Sequence, residues 1–297
     1  MRRSGRWRLS FLSAWAVAVL GTASPGAPPP QEETKREKGT RQLWDEAFVE
    51  SRPRPSRARA PVPGPPRAPA PPGDAFVGVT LWRLRPAGAQ DEARGVVVPA
   101  SDQKWLPERS EVDVPLKEGQ RVRLSIEVSR PGYLYVIDRE RYADGRLGEP
   151  QLVFPTLRLR GGDNAVQAGR VIEVPDLRDS PPCFTLKRSR ADHVGETLLL
   201  LVTQEPLAGI TIGREAQALS RQQVEEWEKA WRVPHRKLET PGGAGRAYTP
   251  VEHAAGESAT RLLTRDEPLP QTLYRVEGKG GQPVLVSVDL RMMATEQ

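Results

Sequence analysis

The stretch Gly119-Gln-Arg-Val-Arg-Leu-Ser-Ile-Glu-Val-Ser-Arg-Pro-Gly-Tyr-Leu-Tyr-Val-Ile-Asp138 decides the fold class of this 297-residue chain. Between Val122 and Val128 apolar and polar side chains alternate strictly, which is the pattern of a half-buried β-strand. Pro131-Gly132 is a turn signal, and an apolar run rich in strand-forming residues follows it at once. The stretch therefore predicts two strands joined as a hairpin.

Similar segments on both sides of this stretch predict a mostly β fold. The residues Phe76–Leu84 predict an earlier strand, and the apolar run Thr197–Thr203 predicts a central one. Further predicted strands are Leu152–Phe154, Arg170–Val174, Phe184–Lys187, Leu273–Val276 and Val284–Leu290. Several short strands separated by turn signals favour an Ig-like β-sandwich.

One amphipathic helix is predicted within this β pattern. Ser220 is a good N-cap residue, and Val224, Trp227 and Trp231 follow it as an apolar stripe at helical spacing. We expect the stripe to pack on the sheet, although the two tryptophans could instead form a platform for a sugar or a peptide. A smaller capping signal at Thr249–Glu252 predicts a second short helix.

The N-terminal region predicts export. Residues 1–23 combine a basic start, an apolar run and a small-x-small ending, which is typical of a secretory signal peptide cleaved after Ala23. The apolar run of roughly 12 residues is shorter than the ~20 needed to span a membrane. We therefore expect no transmembrane span after signal removal, and a periplasmic or extracellular location.

The rest of the chain is predicted to fall into four segments. Residues 24–50 are a polar segment with a possible short helix, and residues 51–73 are a Pro/Arg-rich linker that we expect to be a disordered tether. Residues 74–210 are predicted to form the β-sandwich domain. Residues 211–297 are predicted to add the helix and closing strands, packed on the same domain.

The charge distribution argues against a nucleic-acid partner. The net charge of +6 and the isoelectric point near 9.7 come from arginines in the signal and in the linker. From Asp74 onward acidic and basic residues nearly cancel. A protein that reads RNA or DNA needs a basic face on its folded domain, so we expect no nucleic acid among the partners.

Residues 119–138 also carry a family resemblance. The matching motifs continue with Leu152-Val-Phe-Pro155, Gly161-Gly-Asp-Asn164, Ala168-Gly-Arg-Val-Ile-Glu-Val-Pro175 and Leu200-Leu-Val-Thr-Gln-Glu-Pro206. Over roughly residues 77–207 the chain resembles the bacterial DUF4384 domain family. The resemblance implies an exported or envelope-associated module with an accessory or recognition role. It implies no catalytic residues, because the family defines none.

Few side chains stand out as candidates for chemistry or binding. The weak binding candidates are Tyr133, Tyr135, Asp138, Asp144, Trp227 and Trp231. The two tyrosines share a strand face that is either core or a recognition surface. The aspartates, with Asp163 and Asn164, could bind calcium, but such residues are also the usual turn formers. We predict no metal and no cofactor, because the three histidines and one cysteine lack ligand spacing.

These observations favour an exported, non-catalytic interaction or accessory module of the bacterial cell envelope, with an envelope protein as its partner. One alternative is a glycan- or peptidoglycan-binding module. It requires exposed rings among the tryptophans Trp82, Trp105, Trp227 and Trp231. A second alternative is a hydrolase of unrecognised type. It requires a pocket that gathers His193, His235 or Cys183 with a carboxylate.

Overall fold

The computed structural model describes residues 73–91, 95–100, 103–257, 263–264, 267–278 and 281–294. The predicted signal peptide with its cleavage after Ala23, the polar segment 24–50 and all but the last residue of the linker 51–73 lie outside the described residues. The described chain is mostly β and contains two antiparallel sheets, which confirms the predicted fold class.

The first sheet has eight strands. They are β1 (Ala75–Pro86), β2 (Val98–Ala100), β3 (Gln103–Ser110), β4 (Arg121–Val128), β8 (Val171–Val174), β9 (Phe184–Thr185), β12 (His235–Glu239) and β13 (Thr272–Val276). The second sheet has six strands. They are β5 (Gly132–Tyr142), β6 (Gln151–Phe154), β7 (Ala165–Val166), β10 (His193–Thr203), β11 (Gln217–Ala218) and β14 (Val284–Arg291).

Strand β1 organises the first sheet because it is bonded on both edges. It pairs with β13 and then β3 along one edge, and with β4 along the other. Val77 and Val79 point into the core between the sheets, whereas Trp82 and Leu84 lie in a second apolar cluster on the outer face. The period-2 alternation of a strand separates these two sets of side chains.

Strand β10 is central in the second sheet, as its apolar sequence predicts. It pairs with β5 on one side and with β14 on the other. Leu198 and Leu200 face the core between the sheets, while Leu199 and Leu201 belong to the cluster on the opposite face. Burial on both faces explains why this strand has a continuous apolar run instead of an alternating one.

The predicted hairpin across Pro131-Gly132 is wrong. Strand β4 belongs to the first sheet and β5 to the second, so the turn carries the chain across the sandwich. The apolar side chains of both strands therefore face one another in the shared core. A Cβ on Gly132 would lie 2.2 Å from the carbonyl oxygen of Thr203, so only glycine allows this close approach to β10.

Two helices occur among the described residues, α1 (Arg221–Trp231) and α2 (Pro250–Glu257). The Ser220 hydroxyl caps α1 by accepting a hydrogen bond from the Gln223 N–H at 3.4 Å. At α2 the Glu252 carboxylate accepts from the Thr249 N–H at 2.8 Å, and the Glu252 N–H donates to the Thr249 hydroxyl at 3.3 Å. These reciprocal bonds form a capping box.

The helices cover the outer faces of the sandwich. The α1 side chain of Val224 packs in the outer cluster of the second sheet. Near α2, the ring of Tyr248 meets that of Trp82 edge-on at 4.9 Å on the outer face of the first sheet. No helix among the described residues is both long enough and apolar enough to cross a membrane.

Candidate functional site

A groove of about 720 Å³ lies between α1 and the turn that joins β5 to β6. Its lining includes the arginines Arg139, Arg146, Arg190, Arg221 and Arg232 and the glutamates Glu149, Glu225 and Glu228. We call this site the charged groove. Its volume lies in the range of ligand-binding clefts, about 300–1,000 Å³, and the arginine side chains outnumber the glutamates along its walls.

Helix α1 forms one wall of the charged groove. Arg221, Glu225 and Glu228 are spaced i, i+4 and i+7 and so follow one face of the helix, and Arg232, the C-cap residue, continues the row at i+11. The apolar stripe that begins at Val224 lies beside this face and packs on the sheet. Because the apolar stripe packs on the sheet, the row of charged side chains (the charged stripe) lies at the side of the helix and faces the groove.

Strand β5 forms the floor with Arg139. This side chain is only 5% exposed, and its Nη2 forms an ion pair with Glu228 Oε1 at 2.9 Å. Its Nε–H has no hydrogen-bond partner in the structure. Glu228 Oε1 is shared, because the Arg232 guanidinium also pairs with it. One carboxylate oxygen therefore serves two guanidinium groups, and the buried one is left under-satisfied.

At one end of the groove, Arg221 and Arg146 are held by neighbouring carboxylates. Arg221 Nη2 lies 2.7 Å from Glu149 Oε1, and this hydrogen bond raises the pKa of Arg221. Arg146 Nε lies 2.5 Å from Asp144 Oδ2. Both arginines are well exposed, so these pairs sit in water and contribute little stability. Their guanidinium groups can exchange an internal carboxylate for one from a ligand.

Arg190 and Tyr142 line the groove as a cation–π pair. The guanidinium carbon of Arg190 lies 4.6 Å from the centre of the Tyr142 ring. The Tyr142 hydroxyl donates to Glu140 Oε2 at 2.7 Å, and this bond raises the pKa of the phenol. Arg190 also pairs with Asp192 at 3.0 Å. The pair places a positive charge over an aromatic ring in the lining of the groove.

The aromatic candidates lie under and within α1. Tyr135 is buried and its hydroxyl accepts a hydrogen bond from the Leu207 N–H at 2.9 Å, while Tyr133 is half-buried beside it. Trp227 and Trp231 stack with ring centres 5.9 Å apart and pack on the same cluster. The structure thus brings these four residues together as the contact between α1 and the second sheet.

The other two tryptophans of the glycan alternative lie on the opposite side of the sandwich. Trp82 is 2% exposed and donates to the Ser125 hydroxyl at 2.7 Å. Trp105 is half-buried, with the Arg121 guanidinium 4.3 Å above its ring. These two rings therefore do not join Trp227 and Trp231 in one aromatic surface.

The two aspartate candidates lie in different places, Asp138 on strand β5 and Asp144 in the turn after it. Asp144 sits in the turn and also accepts from the Arg146 N–H at 2.9 Å, whereas Asp138 lies on β5 and faces Glu196. Asp163 and Asn164 stabilise another turn, where the Asn164 amide donates to the Leu134 carbonyl at 3.0 Å. Within the described ranges, no group of three or more His, Cys, Asp or Glu side chains could hold a metal ion.

Asp138 on β5 and Glu196 on β10 form a pair of carboxyl groups, of which Glu196 is buried and Asp138 is half-buried. Burial raises the pKa of Glu196 to about 9, and the charge of Asp138 adds to the effect. Burial likewise raises the pKa of Asp138 to about 6, with a contribution from Glu140. Two hydrogen-bonded carboxyls in a low-dielectric site favour sharing one proton. At neutral pH Glu196 is therefore the protonated partner.

The residues of the hydrolase alternative lie in separate parts of the fold. His193 is fully buried, with Nε2 2.9 Å from the Gly195 carbonyl oxygen and 3.2 Å from Glu196 Oε1. Cys183 lies in the outer cluster of the first sheet, where burial raises the pKa of its thiol. His235 is exposed at the start of β12. The structure places His193 beside the Glu196 carboxyl group, but it brings neither Cys183 nor His235 to that pair.

Sequence reasoning missed the charged groove. The wall formed by α1 could have been found from the sequence, because charged residues repeat there at helical spacing beside the apolar stripe: Arg221, Glu225, Glu228 and Arg232. The floor of the groove could not have been found in this way, since a single arginine such as Arg139 after an apolar run is common in strands. No protein-family model, curated protein or solved structure matches the chain, so the resemblance to DUF4384 stays a prediction.

Proposed function

We propose that the chain is an exported, non-catalytic interaction module of the bacterial cell envelope, and that the charged groove is where it binds a partner. The observation that carries this proposal is Arg139, a guanidinium that is 5% exposed, lines the groove and shares its carboxylate oxygen, Glu228 Oε1, with Arg232. A buried charge that shares its counter-charge with a second cation calls for a physical explanation.

An anion bound in the groove would add counter-charge to this guanidinium. Taking an ion out of water is costly unless an opposite charge compensates it, and here two guanidinium groups divide one carboxylate oxygen. A carboxylate from a partner could replace the shared contact with Glu228 or add to it, because the guanidinium offers a planar fork of donors. Arg146, Arg190 and Arg221 around the groove would favour the approach of such an anion.

The export part of the proposal rests on residues 1–23, which have the pattern of a secretory signal. We expect N-terminal sequencing of protein purified from its native host to start at Ser24. A mature chain that still starts at Met1 would contradict the proposed cleavage after Ala23. The interaction part is independent of this outcome, because it concerns residues of the folded domain alone.

The interaction part is tested by capture from native cell-envelope extract with the full chain as bait. Arg221→Ala removes a groove arginine whose side chain is 44% exposed and paired with Glu149 at 2.7 Å. Arg158→Ala is the matched control, because that side chain is 43% exposed and paired with Glu215 at 2.9 Å, away from the groove. Both variants lose one exposed cation and one surface ion pair.

We expect a saturable partner that Arg158→Ala retains and that Arg221→Ala holds about tenfold more weakly, which is about 1.4 kcal/mol. Raising the salt concentration weakens the wild-type complex, since exposed charges are screened. Equal capture by both variants removes the charged groove from the proposal. Capture of polysaccharide instead of protein favours the glycan-binding alternative, and turnover of an envelope polymer by the wild type favours the hydrolase.

A further inference from the structure

The order of charges along α1 constrains what the groove can bind. Arg221 and Arg232 stand at the two ends of the charged stripe, and Glu225 and Glu228 lie between them. Glu228 is already paired with Arg139 and Arg232. The Glu225 side chain is exposed, and its charge acts on Arg221 one helical turn away. A ligand along the stripe therefore meets positive charge at both ends and the exposed negative charge of Glu225 between them.

The spacing of these charges matches an extended peptide. Arg221 is the first residue of the helix and Arg232 directly follows its last, so the two are eleven positions apart, about 16 Å along the axis at a rise of 1.5 Å per residue. Side chains on one face of an extended chain repeat every ~6.7 Å, so residues i and i+4 are about 13 Å apart. The long arginine side chains cover the remaining difference, and residue i+2 then falls opposite Glu225.

We infer that the charged groove binds an extended segment of a partner protein with the pattern acidic-x-basic-x-acidic. This inference rests on the proposed function, because it names the ligand of the same groove. The two acidic side chains pair with Arg221 and Arg232, and the basic side chain between them pairs with Glu225. Arg139 and Arg190 stabilise the acidic side chains from the floor and from the opposite wall.

A compact anion fits this groove less well than a peptide. A single phosphate or carboxylate reaches only one end of a stripe about 16 Å long, and it places no positive charge opposite Glu225. A uniformly acidic peptide places like charges opposite Glu225, which is unfavourable. The alternating pattern pairs every charge along the stripe, so its order discriminates against ligands of the same composition.

The test compares two capped synthetic peptides by isothermal titration calorimetry with the full chain at low salt. The first is Gly-Glu-Gly-Lys-Gly-Glu-Gly, which has the inferred order. The second is Gly-Lys-Gly-Glu-Gly-Glu-Gly, which has the same composition and net charge in another order. We expect the first peptide to bind about tenfold more tightly, as two additional charge pairs imply.

Variants of α1 test the role of the middle charge. Glu225→Lys changes the preference toward Gly-Glu-Gly-Glu-Gly-Glu-Gly, because a lysine there now faces an acidic residue. Glu226→Lys is the matched control, since it makes the same change of charge at the next residue, off the stripe. We expect Glu226→Lys to keep the preference of the wild type for the first peptide.

Other outcomes overturn the inference, and they differ in whether the proposed function is still supported. Equal binding of the two isomeric peptides removes the charge order but leaves an anion-binding groove. No binding of either peptide, with partner capture still lost in Arg221→Ala, rejects the peptide ligand and leaves the proposed function. No peptide binding together with capture that ignores Arg221→Ala rejects both. A preference unchanged by Glu225→Lys removes that residue's role, and the inference fails.

Discussion

Replacing Glu196 by glutamine should make the protein more stable at neutral pH. Glu196 is 8% exposed and its carboxyl keeps a proton up to about pH 9 in the folded chain. In the unfolded chain the same group ionises near its ordinary pKa of 4.5. Between these two values the folded state binds one more proton than the unfolded state, so stability falls as the pH rises.

The size of the effect follows from the two pKa values. Below pH 4.5 both states are protonated, and the group has no effect on the pH dependence of stability. Each pH unit above that value costs up to about 1.4 kcal/mol, so the loss reaches about 3 kcal/mol at pH 7. Glutamine is neutral at every pH and can still donate a hydrogen bond to Asp138. Glu196→Gln should therefore remove this loss.

The assay is urea unfolding of wild type and variant at pH 4.5, 7 and 9. We expect the gain in the free energy of unfolding to be near zero at pH 4.5 and about 2–3 kcal/mol at pH 7. Glu226→Gln serves as control, because that side chain is exposed on α1 and should change stability little at any pH. A gain that does not depend on pH, or a loss at pH 7, would refute the reasoning.

Two further substitutions test the outer layers by urea unfolding. Tyr248→Phe removes a hydroxyl that donates to the buried Glu173, itself paired with Arg123 at 2.7 Å. We expect a loss of about 1–3 kcal/mol, and an unchanged midpoint would show that the bond contributes nothing. Ser220→Ala removes the cap of α1 and should cost about 1 kcal/mol, with Ser220→Asp close to wild type. If alanine and aspartate behave alike, the hydroxyl does not act as a cap.

The ionisation of Asp138 and Glu196 is also linked electrostatically to the charged groove. Glu140 accepts hydrogen bonds from Tyr142, which lines the groove, and from Ser189, each at 2.7 Å. The charge of Glu140 in turn raises the pKa of Glu196 and of Asp138. The wall of the groove and the carboxyl pair are therefore parts of one electrostatic network.

Local sequence determined much of the fold. The alternation in β4, the continuous apolar run of β10 and the cap at Ser220 each depend on neighbours within a few residues, so pattern alone identifies them. The same holds for the capping box at Thr249, which begins α2. Such signals reflect short-range hydrogen bonding and the face that a side chain presents, and both are properties of the local backbone.

Tertiary structure alone decided which elements meet. The turn at Pro131-Gly132 is equally compatible with a hairpin and with a crossing between sheets, and the shared core selected the crossing. The charged groove gathers Arg139 from β5, Arg190 from a loop and Arg221 from α1. The pKa of Glu196 depends on Asp138, which is 58 positions away in the sequence. Burial and charge act through distance in space, and no local pattern encodes that distance.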